Sequence, residues 1–205
     1  MKTLPDGFKY FPGYLDKDEQ ELLLGSIREI VKQAPLYVPK MPKTGKPFSV
    51  RMTNCGALGW VSDQEKGYRY QKEHPFTNNP WPDMPKMLVD IWDHVSQSEY
   101  RPHACLINFY DPSAKMGMHQ DKDEDNLDAP VVSISLGDTC LFRIGQTTRG
   151  GPTQSLKLDS GDVVVLSGPS RLRFHGVDKI YPDTSLLLKN GGRINLTLRC
   201  VTEDA

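Results

Sequence analysis

The chain has 205 residues, of which 38% are hydrophobic and 25% charged, and its formal net charge is -1. That length is enough for one sizeable core, so one domain with an N-terminal extension is favoured over two separate domains. A nearly neutral chain has no global basic field, so a nucleic acid would have to be bound by local patches.

The cysteines and the hydropathy pattern exclude several classes of protein. The four cysteines are scattered without a CxxC pair, which argues against a zinc knuckle or a disulfide framework and predicts buried free thiols. The N-terminus lacks the apolar run of a secretory signal, and no stretch approaches the roughly 18 apolar residues of a membrane span. Cytoplasmic residence without a membrane partner is therefore predicted.

Two amphipathic helices are predicted in the first hundred residues, after a short strand and turn within residues 4–15. Asp16 and Glu19 have the spacing of a capping box, and Pro35 ends the apolar stripe that follows them. A second stripe begins after Pro85. Both helices are expected to pack against a sheet. The two stripes are Leu23, Ile27, Ile30 and Val31, and Leu88, Ile91, Trp92 and Val95.

Residues 39–82 are rich in Pro, Gly, Lys and aromatic residues, and they suit hairpins or a lid better than a core. Cations followed by aromatic rings are what recognition of a single strand or a flipped base requires. A solvated loop that covers the core with its aromatic side chains is equally compatible with this composition. The residues are Lys40, Lys43, Lys46 and Arg51, followed by Trp60, Tyr68 and Tyr70.

After residue 100, short β-rich segments alternate with turn signals at regular spacing, which is typical of a barrel or jelly roll. The predicted strands cover residues 103–110, 131–136, 139–144, 162–167, 171–175 and 193–201.

His119 and Asp121 are candidate metal ligands, because residues two apart on a strand point to the same face. His175, at the end of the predicted strand 171–175, would be the third ligand. Two imidazoles and one carboxylate with open positions form the facial triad of non-haem Fe(II) oxygenases. Catalytic zinc accepts the same ligands and remains an alternative.

The acidic run that begins at Asp121 also resembles a calcium loop. That interpretation fails because the sixth position is Asn126 instead of Gly and the twelfth is Val132 instead of Glu.

The predicted last strand carries Arg193, Asn195, Thr197 and Arg199 on one face and apolar residues on the other. Two inward-facing arginines need anions, and their side chains, on Cα atoms about 20 Å apart, could close on a short dicarboxylate. Asn108 and Tyr110 share a face of the strand 103–110 and could add neutral donors. A strand with a solvated charged face is the alternative.

Several separate blocks of the sequence resemble the AlkB family of Fe(II)/2-oxoglutarate dioxygenases, from roughly residue 50 to residue 201, and look closest to its bacterial DNA-repair branch. The blocks are Asn108-Phe-Tyr110, His119-Gln-Asp121-Lys-Asp123, His175-Gly, Arg193-Ile-Asn195-Leu-Thr-Leu-Arg199, the segment from Met52 to Trp60, and Gly67-Tyr68-Arg-Tyr70.

The resemblance implies an α+β fold whose double-stranded β-helix, or jelly-roll, core spans residues 101–205. Residues 1–100 would form an extension with helices and a nucleotide-recognition lid, within a single structural domain. His119, Asp121 and His175 would hold Fe(II), with O2 and 2-oxoglutarate as co-substrates. The residues expected to bind 2-oxoglutarate are Arg193, which would pair with its distal carboxylate, Asn108, Tyr110, Asn195 and Arg199.

The resemblance also implies the substrate contacts. Trp60 and His119 would sandwich the damaged base, and Asp123 would read the exocyclic amine of adenine or cytosine. Tyr68 and Tyr70 would contact the nucleotide backbone, and Arg149 the substrate strand.

The implied activity is oxidative demethylation of N1-methyladenine and N3-methylcytosine in single- or double-stranded DNA, with RNA as a further candidate. The products would be formaldehyde, succinate and CO2, and no obligate protein partner is expected. A 2-oxoglutarate-dependent hydroxylase of a protein or small molecule, or a non-catalytic jelly-roll binding module, are the alternatives. Leu166, where relatives often carry Trp, and Gly117, in place of a small polar residue, put the shape of the co-substrate pocket in question.

Overall fold

The structure, a computed structural model, describes residues 3–202 and contains two α-helices and twelve strands in that range. The helices are α1 (Lys17–Gln33) and α2 (Lys86–Ser96). The strands are β1 (Phe8–Phe11), β2 (Arg51–Gly56), β3 (Gly59–Asp63), β4 (Gly67–Gln71), β5 (Ala104–Tyr110), β6 (Met116–His119), β7 (Val131–Gly137), β8 (Cys140–Ile144), β9 (Gln154–Leu158), β10 (Val163–Leu166), β11 (His175–Ile180) and β12 (Arg193–Arg199).

Two antiparallel sheets form a sandwich. The large sheet has the order β1-β10-β7-β12-β5-β2, and the small sheet has the order β6-β11-β8-β9. Apolar side chains from both sheets, among them Leu106 and Val164 of the large sheet and Phe142 and Val177 of the small one, form one buried cluster between them. The predicted α+β fold with a jelly-roll core is confirmed.

The helices cover the outer face of the large sheet. Trp92 of α2 and Leu23 of α1 are fully buried in a second cluster with Leu196 of β12. The strand β12 is therefore buried on both faces, with its apolar side chains towards the helices and its polar side chains towards the small sheet. The predicted capping box is present, since Asp16 accepts from the Glu19 amide at 2.9 Å and Glu19 accepts from the Asp16 amide at 2.9 Å.

The segment 39–82 contributes both a hairpin and a core strand. Strands β3 and β4 pair only with each other, and we call them the lid hairpin. The prediction of hairpins or a lid was wrong for β2, which pairs with β5 along its whole length and has a buried centre. Strands β1 and β2 extend the large sheet, so the sandwich includes residues before 100. The division into an extension of residues 1–100 and a core of residues 101–205 stays a prediction.

Two strand predictions near the metal ligands need correction. Residues 168–170 form a 3₁₀ turn, and His175 begins β11 instead of ending a strand. His119 ends β6, whereas Asp121, which was predicted to share a strand with His119, lies beyond that strand. Strand β9 was also missed. These short strands lie in turn-rich sequence and have no strong strand pattern of their own. They are strands because neighbouring strands of the sheet pair with them.

All four cysteines are buried and free, as predicted. Within residues 3–202, no helix has the length and apolar character needed to cross a membrane.

Candidate active site

Three predicted metal ligands converge at one edge of the small sheet. The antiparallel pairing of β6 with β11 places His119 directly opposite His175. Asp121 follows two residues after the end of β6, and its carboxylate lies 3.7 Å from His119 Nε2 and 3.5 Å from His175 Nε2. One ligand atom from each residue lies within 4.8 Å of the other two, which is the spacing of a shared metal ion.

The hydrogen bonds around these side chains fit a metal ion. His119 Nδ1 lies 2.9 Å from the Gly117 carbonyl, and His175 Nδ1 lies 3.0 Å from the Arg173 carbonyl, so both rings donate through Nδ1 and turn Nε2 inward. Asp121 Oδ2 is buried and has no hydrogen-bond partner among the described residues. An orphaned carboxylate oxygen between two lone-pair nitrogens is suited to Fe(II) or another divalent ion.

The electrostatics keep His119 and Asp121 in their metal-binding protonation states. Burial, and then the adjacent His175, lower the pKa of His119 to about 4. Burial raises the pKa of Asp121, but Arg199 and the two imidazoles outweigh it and hold this pKa well below its ordinary value. Since metal ions bind neutral imidazole and ionised carboxylate, these two side chains are ready to bind a metal ion at neutral pH.

Beside the metal ligands lies a cationic pocket. Arg193 is 1% exposed, and its guanidinium donates to Ser135 Oγ at 2.7 Å and to the Asp138 carbonyl at 3.5 Å. Its Nε has no partner, and no carboxylate forms an ion pair with it among the described residues. A buried cation in this state requires an anion from outside the chain. The pocket therefore fits one carboxylate of 2-oxoglutarate.

The strand register aligns the other predicted co-substrate residues with Arg193. Tyr110 lies opposite Arg193, and Asn108 opposite Asn195, across the β5–β12 pairing. Asn108 Oδ1 is buried without a partner, whereas Asn195 donates to Ser133 Oγ at 2.6 Å. Arg199 differs from Arg193, because its Nη2 donates to Asp121 Oδ1 at 2.7 Å. Arg199 thus serves the metal carboxylate directly, which the spacing of the two arginines did not indicate.

The lid hairpin forms the opposite wall of a cleft with a volume of about 430 Å³. The Tyr68 ring stacks on Trp60 with centroids 5.5 Å apart, and the Trp60 indole N–H donates to Asp123 Oδ2 at 2.9 Å. Trp60, Asp123, His119 and Arg149 all line this cleft. The cleft therefore offers an aromatic face and a carboxylate to a planar cationic ring.

Tyr70 occupies a different environment from Tyr68. Tyr68 is 49% exposed, whereas the hydroxyl of Tyr70 donates to Glu124, which is buried. A contact of Tyr70 with the nucleotide backbone stays a prediction, but its hydroxyl is already engaged inside the protein.

Two buried charged residues escaped the sequence analysis. Glu124 and Arg171 are 5% and 3% exposed and pair at 3.1 Å, and Arg171 also donates to the Asp121 carbonyl at 2.6 Å. Glu124 belongs to the acidic run that resembled a calcium loop. An acidic run next to a predicted metal-binding carboxylate could have indicated this pair. If one of its acids is buried, it needs a cation of its own as a partner.

Comparison with known proteins agrees with this geometry. A family model described as the 2OG-Fe(II) oxygenase superfamily matches residues 7–199. A Caulobacter vibrioides protein named alpha-ketoglutarate-dependent dioxygenase AlkB homolog is 51% identical over 197 residues, which cover 96% of this chain and 89% of that protein. Alpha-ketoglutarate-dependent dioxygenase AlkB of Escherichia coli is 42% identical over 164 residues, which cover 78% of this chain and 75% of that protein.

Among solved structures, that of OsALKBH1 resembles the chain with a TM-score of 0.82 and 31% identity. The match covers 97% of this chain and 98% of the other.

Proposed function

The chain belongs to the 2OG-Fe(II) oxygenase superfamily, and on that premise we propose that it demethylates N1-methyladenine and N3-methylcytosine in alkylated DNA. It is an Fe(II)/2-oxoglutarate-dependent dioxygenase, like the AlkB proteins it resembles. The main observation behind the proposal is that Arg193 is buried without an anionic partner among the described residues. It lies beside the converging side chains of His119, Asp121 and His175.

His119, Asp121 and His175 would hold Fe(II) through two Nε2 atoms and the free carboxylate oxygen Asp121 Oδ2. When bound, iron together with 2-oxoglutarate and O2 supplies the oxidation that hydroxylates an N-methyl group, so that formaldehyde, succinate and CO2 are released. Arg193 would bind and orient the distal carboxylate of 2-oxoglutarate, with Asn108 and Tyr110 beside it. Asn195 would keep its position through the Ser133 bond, and the buried pocket excludes water from this charge pair.

The other half of the cleft would hold the base. Methylation at N1 of adenine or N3 of cytosine disrupts pairing and adds positive charge, so the damaged base costs less to flip out than an intact one. Trp60 and His119 would enclose the ring, and Asp123 would accept from its exocyclic amine. The indole bond to Asp123 Oδ2 fixes the orientation of that carboxylate. Tyr68 and Arg149, at the open side, would contact the strand.

Formaldehyde release from methylated oligonucleotides tests this proposal. Protein loaded with iron and 2-oxoglutarate is compared on single- and double-stranded DNA and on RNA, each carrying N1-methyladenine or N3-methylcytosine. Release from at least one DNA substrate is expected. The matched variant Asp123→Asn should lower kcat/KM on these cationic bases about 10- to 100-fold, the loss of a hydrogen bond to a charged group.

The same assay separates the alternatives. Turnover of 2-oxoglutarate without formaldehyde from any oligonucleotide, and without nucleic-acid binding, would favour a hydroxylase of a protein or small molecule. Absence of both metal binding and turnover would favour a binding module. Cytoplasmic residence and the lack of an obligate protein partner remain predictions that localisation and affinity purification would check.

A further inference from the structure

The lid hairpin is anchored to the core through Tyr70 of its outer strand β4. The inner strand β3 is held by Asn54 of β2, which exchanges two hydrogen bonds of 3.0 Å with the Trp60 backbone. On β4 the anchor is the Tyr70 hydroxyl, which donates to Glu124 Oε1 and accepts from Arg199 Nη1 at 3.3 Å. Neither bond is needed to close the hairpin itself, whose backbone ladder runs from Gly59 to Gln71.

Glu124 is the shared counter-ion of two buried guanidinium groups. Its side chain is 1% exposed and lies 3.1 Å from Arg171 Nη2 and 3.4 Å from Arg199 Nε. The position of a buried carboxylate between two cations depends on all of its hydrogen-bond donors. If one donor is removed, water cannot take its place in the interior, so the carboxylate shifts towards the remaining donors. The Tyr70 hydroxyl is one of these donors.

The same two guanidinium groups also hold Asp121. Arg199 Nη2 donates to the Asp121 carboxylate at 2.7 Å, and Arg171 Nη1 donates to the Asp121 carbonyl at 2.6 Å. A continuous buried path therefore leads from Tyr70 on the lid, through Glu124 and Arg199, to the carboxylate whose other oxygen faces the metal position. The path consists of four side chains, of which Glu124, Arg199 and Asp121 also line the cleft.

We propose that Tyr70 is a positioning residue that couples closure of the lid hairpin to metal binding at Asp121. The proposal rests on the proposed metal site but not on the identity of the nucleic-acid substrate. Without the hydroxyl, Glu124 Oε1 can draw Arg199 Nε closer, which turns the guanidinium away from Asp121. Because coupling between two binding equilibria is reciprocal, a metal ion at Asp121 also stabilises the closed lid.

The experiment compares Tyr70→Phe with wild type in two measurements that do not require catalysis. Mn(II), a divalent ion suited to oxygen and imidazole ligands, is titrated by calorimetry, and hydrogen exchange of the β3 and β4 amides is followed with and without Mn(II). We expect the dissociation constant for Mn(II) to rise on the order of tenfold, as for other residues that orient a metal ligand. Wild type should gain lid protection on adding Mn(II), and Tyr70→Phe should lose most of that gain.

Tyr10→Phe is the matched control, since the Tyr10 hydroxyl of β1 also donates to a carboxylate, Asp162, at 2.9 Å, and Asp162 precedes β10 outside the lid hairpin. It should lower the melting temperature comparably and leave both Mn(II) affinity and metal-induced lid protection unchanged. Glu124→Gln, which keeps the side-chain shape and removes the charge, serves as a second variant and should shift both measurements in the direction of Tyr70→Phe.

Wild-type Mn(II) affinity in both Tyr70→Phe and Glu124→Gln would overturn the proposal, as would an altered KM for the oligonucleotide with unchanged metal affinity. If Tyr70→Phe does not fold but Glu124→Gln does, the Mn(II) affinity and lid protection of Glu124→Gln decide the question. Failure of wild type to bind Mn(II) would contradict the proposed metal site itself, so the two failures are distinguishable.

Discussion

Arg193 and Arg199 show how one residue type takes two roles on one strand face. Both are buried, but Arg199 has the carboxylates of Asp121 and Glu124 around it, while Arg193 has only neutral partners in the described part of the chain. The charges around Arg199 outweigh its desolvation and raise its pKa, so it stays a fixed cation. The unpaired arginine is the one available to a co-substrate.

Replacing Arg193 by Lys should raise the KM for 2-oxoglutarate about 10- to 100-fold, because an ammonium cannot make the two parallel bonds of a guanidinium to a carboxylate. Steady-state kinetics with varied 2-oxoglutarate measures the effect. Mn(II) affinity without 2-oxoglutarate should stay at the wild-type value, and an unchanged KM would contradict the assigned role of Arg193.

His103 is a separate source of pH dependence, distant in sequence from the metal ligands. Its Nδ1 accepts from the Val201 amide at 3.0 Å, and burial lowers its pKa below the ordinary value of 6.5. The unfolded chain therefore takes up this proton at a higher pH than the folded protein does. The contribution of His103 to stability is complete above the unfolded pKa and declines as the pH falls below it.

His103→Asn, which removes the titrating group, should flatten the loss of stability between about pH 7 and pH 5. Urea unfolding of variant and wild type at several pH values measures the free energy of unfolding. Parallel pH profiles of the two proteins would contradict this assignment.

At the scale of elements, the pairing of β6 with β11 is what brings two ligands together. Gly176, next to His175, lies so close to β6 that a Cβ atom there would meet the Met116 carbonyl oxygen at 2.5 Å and the Gly117 carbonyl oxygen at 2.9 Å. The absent side chain therefore permits the close approach of the two strands. Gly117 itself has open space around its Cβ position.

Gly176→Ala should lower the free energy of unfolding by about 1–3 kcal/mol, the usual cost of overpacking, and weaken Mn(II) binding because the two imidazoles are pushed apart. Gly117→Ala, on the facing strand, is the control and should keep wild-type stability. Chemical unfolding and calorimetric titration provide the two measurements, and equal behaviour of the two variants would contradict the explanation.

At the scale of the whole molecule, one sandwich with a helical layer holds the two imidazole ligands on its small sheet and the cationic pocket on its large sheet. His119 and His175 belong to β6 and β11, whereas Arg193, Asn108 and Tyr110 belong to β12 and β5. Ligands that bind between two packed sheets hold the sheets together, so their binding stabilises the folded state.

One ligand at about 100 times its dissociation constant stabilises a fold by about 2.7 kcal/mol. Mn(II) and 2-oxoglutarate together, each at that concentration, should stabilise the protein by more than this and raise its melting temperature by several degrees. Thermal unfolding with and without the two ligands measures the shift, and chelation with EDTA should reverse it. The shift should be smaller for Arg193→Lys, and its absence in wild type would contradict a shared site.

The sequence by itself determined the class of fold and pointed to three candidate metal ligands, because alternation and spacing assign a side chain to a face without knowledge of its neighbours. The polar face of the last strand, the His-x-Asp pair and the capping box of α1 were all predicted in this way. The expected co-substrate and substrate contacts came from the family resemblance. Only the tertiary structure decided which arginine is free and that Glu124 is buried. It also showed that His175 begins its strand, that β2 joins the large sheet, and that Asp121 lies beyond the strand of His119. Partners far apart in the sequence make these assignments, such as Arg171 for Glu124 and Asp121 for Arg199. Pairing energies between distant segments leave no local pattern in the chain.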